Sequence, residues 1–171
     1  MCTSVIAEPS RWLGETIGFW IQTLILAVSA IAAIWIILAS KTQEKRRATI
    51  DLVMDQKRDR ALQDARQMLL KMHESGEKNF ARHLQDASSV EYKSILLVLN
   101  AYEFLATGTR EGAFDEYTYK RLRYSNLLRD WNNLCPSVMA FRKMKNINGL
   151  FQEFEWLARR WLKKPLKDDK H

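Results

Sequence analysis

Hydrophobic and polar positions follow two different rules along this chain. From Thr16 to Ser40 run 25 residues without a charge, reading TIGFWIQTLILAVSAIAAIWIILAS. The apolar heart, Ile17 to Ala39, is 23 residues long, roughly 34 Å as a helix at 1.5 Å per residue. That length spans a hydrocarbon layer of about 30 Å with some tilt. A helix apolar on every side needs lipid or a large protein around it, and the rest of the chain is too small and too polar to wrap it. A cleaved signal peptide fits less well, because signal h-regions run about 7–15 residues behind a basic n-region. Here the run is longer, and Arg11 is the only basic side chain before it.

After Lys41 the pattern becomes amphipathic and helical, with no strand-like alternation. Between Lys41 and Met72 there is no Gly or Pro, and Ile50, Val53, Met54, Ala61, Leu62, Ala65, Met68, Leu69 and Met72 form one stripe at 3/4 spacing. The spacing predicts a stalk helix over 41–73, continuous with the span and ending at Ser75-Gly76. A short helix over 79–87 follows. Ser88-Ser89-Val90-Glu91 reads as a capping box that opens a central core helix, Tyr92 to Thr107, closed by Gly108 and Gly112. Asp115 caps a helix to about Leu134, with Tyr119, Leu122, Leu127, Leu128 and Trp131 on its inner side. Pro136 suits the first turn of a further helix. Gly149 precedes a last helix, Leu150 to Leu162, holding Phe151, Phe154, Trp156, Leu157 and Trp161. The expected fold is therefore all-α. A tail over 1–15 leads into a transmembrane helix over 16–40 that continues into the stalk. A small helical domain over 77–163 and a frayed tail over 164–171 complete the chain.

Charge orients this arrangement. Lys41, Lys45, Arg46 and Arg47 directly follow the span, and the positive-inside rule puts that end in the cytoplasm. Trp12, Trp20 and Trp35 lie towards the ends of the span, where indole rings prefer the interface. The whole chain carries a net charge of +7 over 171 residues. A basic domain tethered beside an anionic leaflet is drawn to it by about 1 kcal/mol per nearby Lys or Arg. The two cysteines, Cys2 and Cys135, make no disulfide framework, and Cys135 is expected as a free thiol in a reducing compartment. Small residues four apart, Gly14 with Gly18 and Ser29 with Ala33, allow close helix packing, so a homodimer through span and stalk is one expectation. Packing of the stalk stripe against the chain's own bundle is the other.

Three stretches carry a family resemblance. The first is the span followed by Arg46-Arg47-Ala48-Thr49-Ile50-Asp51-Leu52. The second is Leu99-Asn100-Ala101-Tyr102-Glu103-Phe104, then Gly108, Gly112, Asp115-Glu116 and Arg129-Asp130-Trp131. The third is Phe151-Gln152-Glu153-Phe154-Glu155-Trp156-Leu157 to Trp161. In this order they resemble a bacterial family known only as a membrane-associated domain of unknown function, number forty-seven sixty in its series. One departure is Ala101-Tyr102, where two aromatics are expected before the Glu. The resemblance implies a short, single-pass, helical protein of the bacterial inner membrane, and it implies no activity.

Candidate chemistry is sparse. The three histidines, His73, His83 and His171, have no metal-ligand spacing, no phosphate-binding glycine loop appears, and neither metal nor cofactor is expected. Arg66 and His73 match the spacing of the Arg and His used by small helical ribonucleases of the HEPN class, with Gln67 in place of the polar residue usual after the Arg. There imidazole exchanges protons and guanidinium steadies phosphate. Solvated stalk residues are the favoured reading of this pair. Glu91-Tyr92-Lys93 echoes part of a restriction-nuclease motif, but that chemistry sits on strands. Glu103 lies in an apolar helix, and a buried carboxylate needs a partner. Arg123 or Arg129 is expected to supply it, as a structural ion pair in preference to a catalytic acid. Tyr117-Thr118-Tyr119-Lys120-Arg121-Leu122-Arg123-Tyr124 interleaves basic and aromatic residues, a pattern compatible with nucleic-acid contact but favoured here as a solvated helix face.

The functional expectation is a membrane-tethered interaction or sensing module whose protein partner the sequence does not name. The alternatives are a membrane-tethered effector with HEPN-like ribonuclease activity and a nucleic-acid-binding membrane anchor.

Overall fold

A computed structural model describes residues 11–12, 15–76 and 80–166. Of the features read from the sequence, Cys2, Gly14, Asn79, the Trp12 side chain, most of the tail over 1–15 and the end of the tail after Leu166 lie outside the described residues. The fold is all-α, preceded by a two-residue antiparallel ladder in which β1 (Arg11–Trp12) pairs with β2 (Glu15–Thr16). Among the described residues five α-helices follow: α1 (Ile17–Arg58), α2 (Arg60–Glu74), α3 (Val90–Arg110), α4 (Glu116–Lys145) and α5 (Gln152–Lys163), with a 3-10 turn at Phe80–Leu84 between α2 and α3. The chain divides into two compact units, residues 1–43 and 44–171.

In the first unit α1 exposes every residue from Ile17 onward, including Leu24, Ile31, Ile34 and Trp35. This stretch is long and apolar enough to cross a bilayer, and none of its apolar window is buried by the protein. The helix does run on past it, but it stops at Arg58, short of the expected end of the stalk. Asp59 adopts an extended conformation and its carboxylate accepts from the Leu62 amide at 3.1 Å, capping α2. A cap of this kind is worth about 1 kcal/mol. Gln63 Nε2 donates to the Gln56 carbonyl at 2.6 Å, which satisfies one of the carbonyls that every helix end leaves unpaired.

The second unit holds one core. Ile95, Val98, Leu99, Tyr102, Leu105 and Ala106 of α3 meet Leu62, Ala65 and Leu69 of α2, Tyr119, Leu127, Leu134 and Val138 of α4, and Phe154, Leu157 and Trp161 of α5. Thus the stalk stripe packs within the chain's own domain through Val53 of α1 and Leu62, Ala65 and Leu69 of α2, while Ile50 and Met54 of α1 stay exposed. Several other expectations shift. The cap of α3 is Ser89, accepting from Tyr92 N at 3.1 Å, while Ser88 bonds Asp86. The third helical position is then Tyr92, not Glu91, so the expected capping box does not form and Ser89 caps alone. Gly108 lies inside α3, where a Cβ would stand 2.3 Å from the Phe114 ring. The chain turns only at Gly112, in the left-handed region. Asp115 caps α4 as expected, yet the helix runs through Pro136 to Lys145. An interior proline costs about 3 kcal/mol, and apolar burial on both sides of it, Trp131 and Leu134 before and Val138 and Phe141 after, offsets that cost. Leu122, expected inside, is exposed. Glu91-Tyr92-Lys93 opens a helix, not a strand.

Candidate functional site: an arginine-lined cavity

A cavity with a polar wall lies among α2, α3 and α4 of the helical domain. Its volume is about 310 Å³, and its wall includes Gln63, Arg66 and Gln67 of α2, Tyr102 of α3, and Arg123, Asn126, Arg129, Asp130 and Asn133 of α4. Apolar side chains, among them Leu69, Phe80 and Leu134, close the remainder. The helical period places these polar groups on faces otherwise committed to the core. Arg66 follows the buried Leu62 by four residues, and Arg123 stands midway between the buried Tyr119 and Leu127.

Tyr102 anchors the floor. Its ring stacks on Phe154 with centroids 4.4 Å apart, and its hydroxyl donates to Asp130 Oδ2 at 2.6 Å. Burial, with the Asp130 charge beside it, pushes the Tyr102 hydroxyl well above the usual phenol range, so it stays a donor. Asp130 Oδ1 also accepts from Arg129 Nε and Nη2, both at 3.1 Å.

The other two arginines are less well provided for. The Arg66 guanidinium lies 5.5 Å from the Tyr102 ring centroid, and its Nη2 reaches Gln56 Oε1 only at 3.5 Å, the limit of a hydrogen bond. Arg66 Nε and Arg123 Nη2 are buried and have no hydrogen-bond partner. Guanidinium does not deprotonate in proteins, and a buried donor left unmade costs about 1–3 kcal/mol, more when charged. Three guanidinium groups against the one carboxylate of Asp130 leave the cavity positively charged. The lining suits an anion better than a cation or an apolar group.

The residues singled out from sequence are distributed differently. Arg66 lines the cavity, but His73 is exposed and is not part of its wall, so the ribonuclease-like pair does not converge there. Glu103 finds neither Arg123 nor Arg129. Its carboxylate oxygens accept from the backbone amides of Glu153 at 3.2 Å and Phe154 at 2.8 Å. It thereby caps α5 from another helix, a placement that also suits the positive end of the helix dipole. Of the basic-aromatic run, Tyr119 is fully buried and burial raises its hydroxyl pKa. Lys120 lies over the rings of Tyr124 and Trp161, and Arg121 donates to the Tyr117 hydroxyl at 2.7 Å. Only Arg123 of that run reaches the cavity.

The basic cluster after the apolar stretch is partly engaged. Thr49, fully buried, accepts from the Asp115 amide at 2.8 Å. Burial opposes ionisation of the Asp115 carboxyl, but hydrogen bonds from Thr118 and the charges of Arg46 and Lys45 hold its pKa below the usual value. Trp20 and Trp35 are exposed on α1. Cys135 is a free, half-buried thiol whose pKa is raised, by burial first and then by the Glu155 charge. No cluster of His, Cys, Asp or Glu suited to a metal ion occurs among the described residues.

Sequence pattern alone did not mark Gln63, Asn126, Asp130 and Asn133 as site residues. The available signal was polar side chains on the apolar stripes of α2 and α4. The model of a protein family described as a domain of unknown function (DUF4760) matches residues 23–161, and the chain belongs to that family. No curated protein and no solved structure matches the chain.

Proposed function

We propose that this DUF4760 member is a single-pass, membrane-anchored sensing module of the bacterial plasma membrane. The N-terminus lies outside and the helical domain lies in the cytoplasm. The observation that carries the reading is the exposure of the whole apolar window of α1. A surface of Ile, Leu, Phe and Trp some 23 residues long is unfavourable in water by about 25 cal/mol per Å² and favourable in lipid. Lys41, Lys45, Arg46 and Arg47 at its C-terminal end supply the orientation. The polar cavity in the tethered domain supplies a place for a signal to bind, which favours sensing over a purely structural anchor. The ribonuclease alternative loses its support because His73 lies apart from the cavity.

The test is a pair of reporter fusions after His171. A phosphatase that works only outside the cytoplasm stays silent there, and a fluorescent protein that matures only in the cytoplasm lights up at the membrane. Strong phosphatase activity overturns the orientation. Fluorescence released into the soluble fraction by alkaline carbonate overturns the anchor.

A further inference from the structure

We propose that the cavity among α2, α3 and α4 is a binding site for a small phosphate monoester, held by Arg66, Arg123 and Arg129. This gives the sensing reading its ligand class and rests on that reading for its purpose, although binding itself is measurable whatever the topology.

The argument starts from the two unpaired donors. Arg66 Nε and Arg123 Nη2 are buried without a partner at the wall of a cavity large enough for a small molecule. Folding buries a charged donor unsatisfied only at a loss of stability, and because both nitrogens are shut off from the cavity as well as from water, an acceptor that enters completes them through a turn of the guanidinium planes. The acceptor must be anionic, because one carboxylate stands against three guanidinium groups. It must offer several oxygens, because the guanidinium fork matches phosphate and carboxylate geometry with paired hydrogen bonds. The excess of two positive charges matches the charge of nearly −2 that a phosphate monoester carries at pH 7.

The remaining wall indicates what the phosphate is attached to. Gln63, Gln67, Asn126 and Asn133 present amides that both donate and accept, which suits hydroxyl groups or a base edge. A cavity of about 310 Å³ is at the small end of ligand sites, so a sugar phosphate, glycerol phosphate or mononucleotide fits its scale. Phosphatidic acid presents the same monoester at a membrane surface, so the chemistry has a soluble and a lipid source.

The full chain in phosphatidylcholine nanodiscs is titrated by calorimetry with sn-glycerol 3-phosphate, AMP and inorganic phosphate. Discs containing phosphatidic acid form a second arm, in which competition with the soluble monoesters reports the lipid source. Saturable binding of at least one monoester, not displaced by chloride at equal ionic strength, is the expected result. Arg123→Met and Arg66→Met each weaken that binding by about tenfold or more, the loss of one charge-assisted hydrogen bond. Unliganded, Arg123→Met melts no lower than the parent, because it removes an unsatisfied donor, whereas Arg66→Met also gives up its Tyr102 and Gln56 contacts. That second readout separates a ligand site from a structural role. Absence of saturable binding in both arms overturns the proposal, as does binding that is unchanged in both variants. Binding with the wrong topology in the fusion assay would sink the membrane reading and leave the site intact.

Discussion

The apolar stretch of α1 and the arginine cavity both depart from the usual division of apolar inside and polar outside, and they depart in opposite directions. α1 exposes Leu24, Ile31, Ile34 and Trp35 to its surroundings. The cavity withdraws guanidinium nitrogens of Arg66 and Arg123 from water and gives them nothing to bond. The first is resolved by a solvent, because a contiguous apolar cylinder needs only a hydrocarbon layer around it. The second calls for a particular molecule on the reading proposed above, because arginines from two helices line one small volume. A region that breaks the rule along a continuous segment thus points to an environment, and one that breaks it by convergence points to a ligand.

The strongest way to break the comparison is to give α1 the chemistry of the cavity. Ile31→Arg combined with Ile34→Arg places two charges in the middle of the apolar stretch, each unfavourable for insertion by about 2.5–3.5 kcal/mol. The double variant is expected to leave the membrane fraction in a flotation gradient. Its persistence in the floating fraction would mean that the stretch is held by something other than lipid.

A third buried guanidinium sharpens the other side. Arg142 Nη1 pairs with Glu155 Oε2 at 2.7 Å, both side chains being largely buried, and its Nε donates to the Leu150 carbonyl at 2.8 Å. Its Nη2 is unpartnered, but the charge itself is matched by a carboxylate. This arginine ties the end of α4 to α5 and the turn before it. Glu155 has a second partner, Arg159 Nη2 at 2.6 Å from its Oε1, so loss of Arg142 costs less than the about 3–5 kcal/mol of a buried charge left with none. Arg142→Ala is expected to lower stability by about 1–3 kcal/mol, mainly through the lost Leu150 and Glu155 hydrogen bonds, in denaturant melts of the full chain in detergent. Arg123→Met, which breaks no pair, is expected to cost nothing. Equal losses from both would make the cavity arginines structural.

These contrasts also show what a linear reading can and cannot reach. The long apolar helix, the family and the all-α class were legible because each is written in adjacent residues: an uncharged run, ordered motifs, 3/4 spacing. Asp59 was not legible as a break because the residues around it are good helix formers. Only its cap bond to Leu62 and the fit of α2 against α3 make the break worthwhile. Pro136 misled in the reverse sense, since local propensity argued for a new helix and burial of Val138 and Phe141 overrode it. That Glu103 is half-buried was foreseeable from its helical position, but its partners were not. They are backbone amides of α5, and the sequence carries no mark of an amide that has lost its helical acceptor. The cavity failed for the same reason, since Arg66 and Asp130 meet only after three helices have packed.

Glu103 yields the smallest effect and the sharpest sign. Burial raises its carboxyl pKa above the ordinary 4.5, and the neighbouring Glu153 charge adds to this. The two amide hydrogen bonds and Arg142 act against the rise without cancelling it. In the window from about 4.5 up to the raised value, the native state therefore binds more protons than the unfolded chain. Stability from this group is fully present below the unfolded pKa and falls as pH rises through the folded one. Asp115, whose pKa is lowered, acts with the opposite sign. Comparison with Glu103→Gln cancels Asp115, because both proteins carry it. Glutamine keeps one acceptor oxygen for the α5 amides and turns an NH₂ toward the other, at a cost of about 1–2 kcal/mol, and it does not titrate. Denaturant melts of the two proteins at intervals between about pH 4 and 7 are expected to show the parent's advantage shrinking as pH rises. An advantage that grows with pH would mean that the α5 amides outweigh burial and hold the Glu103 pKa below its ordinary value.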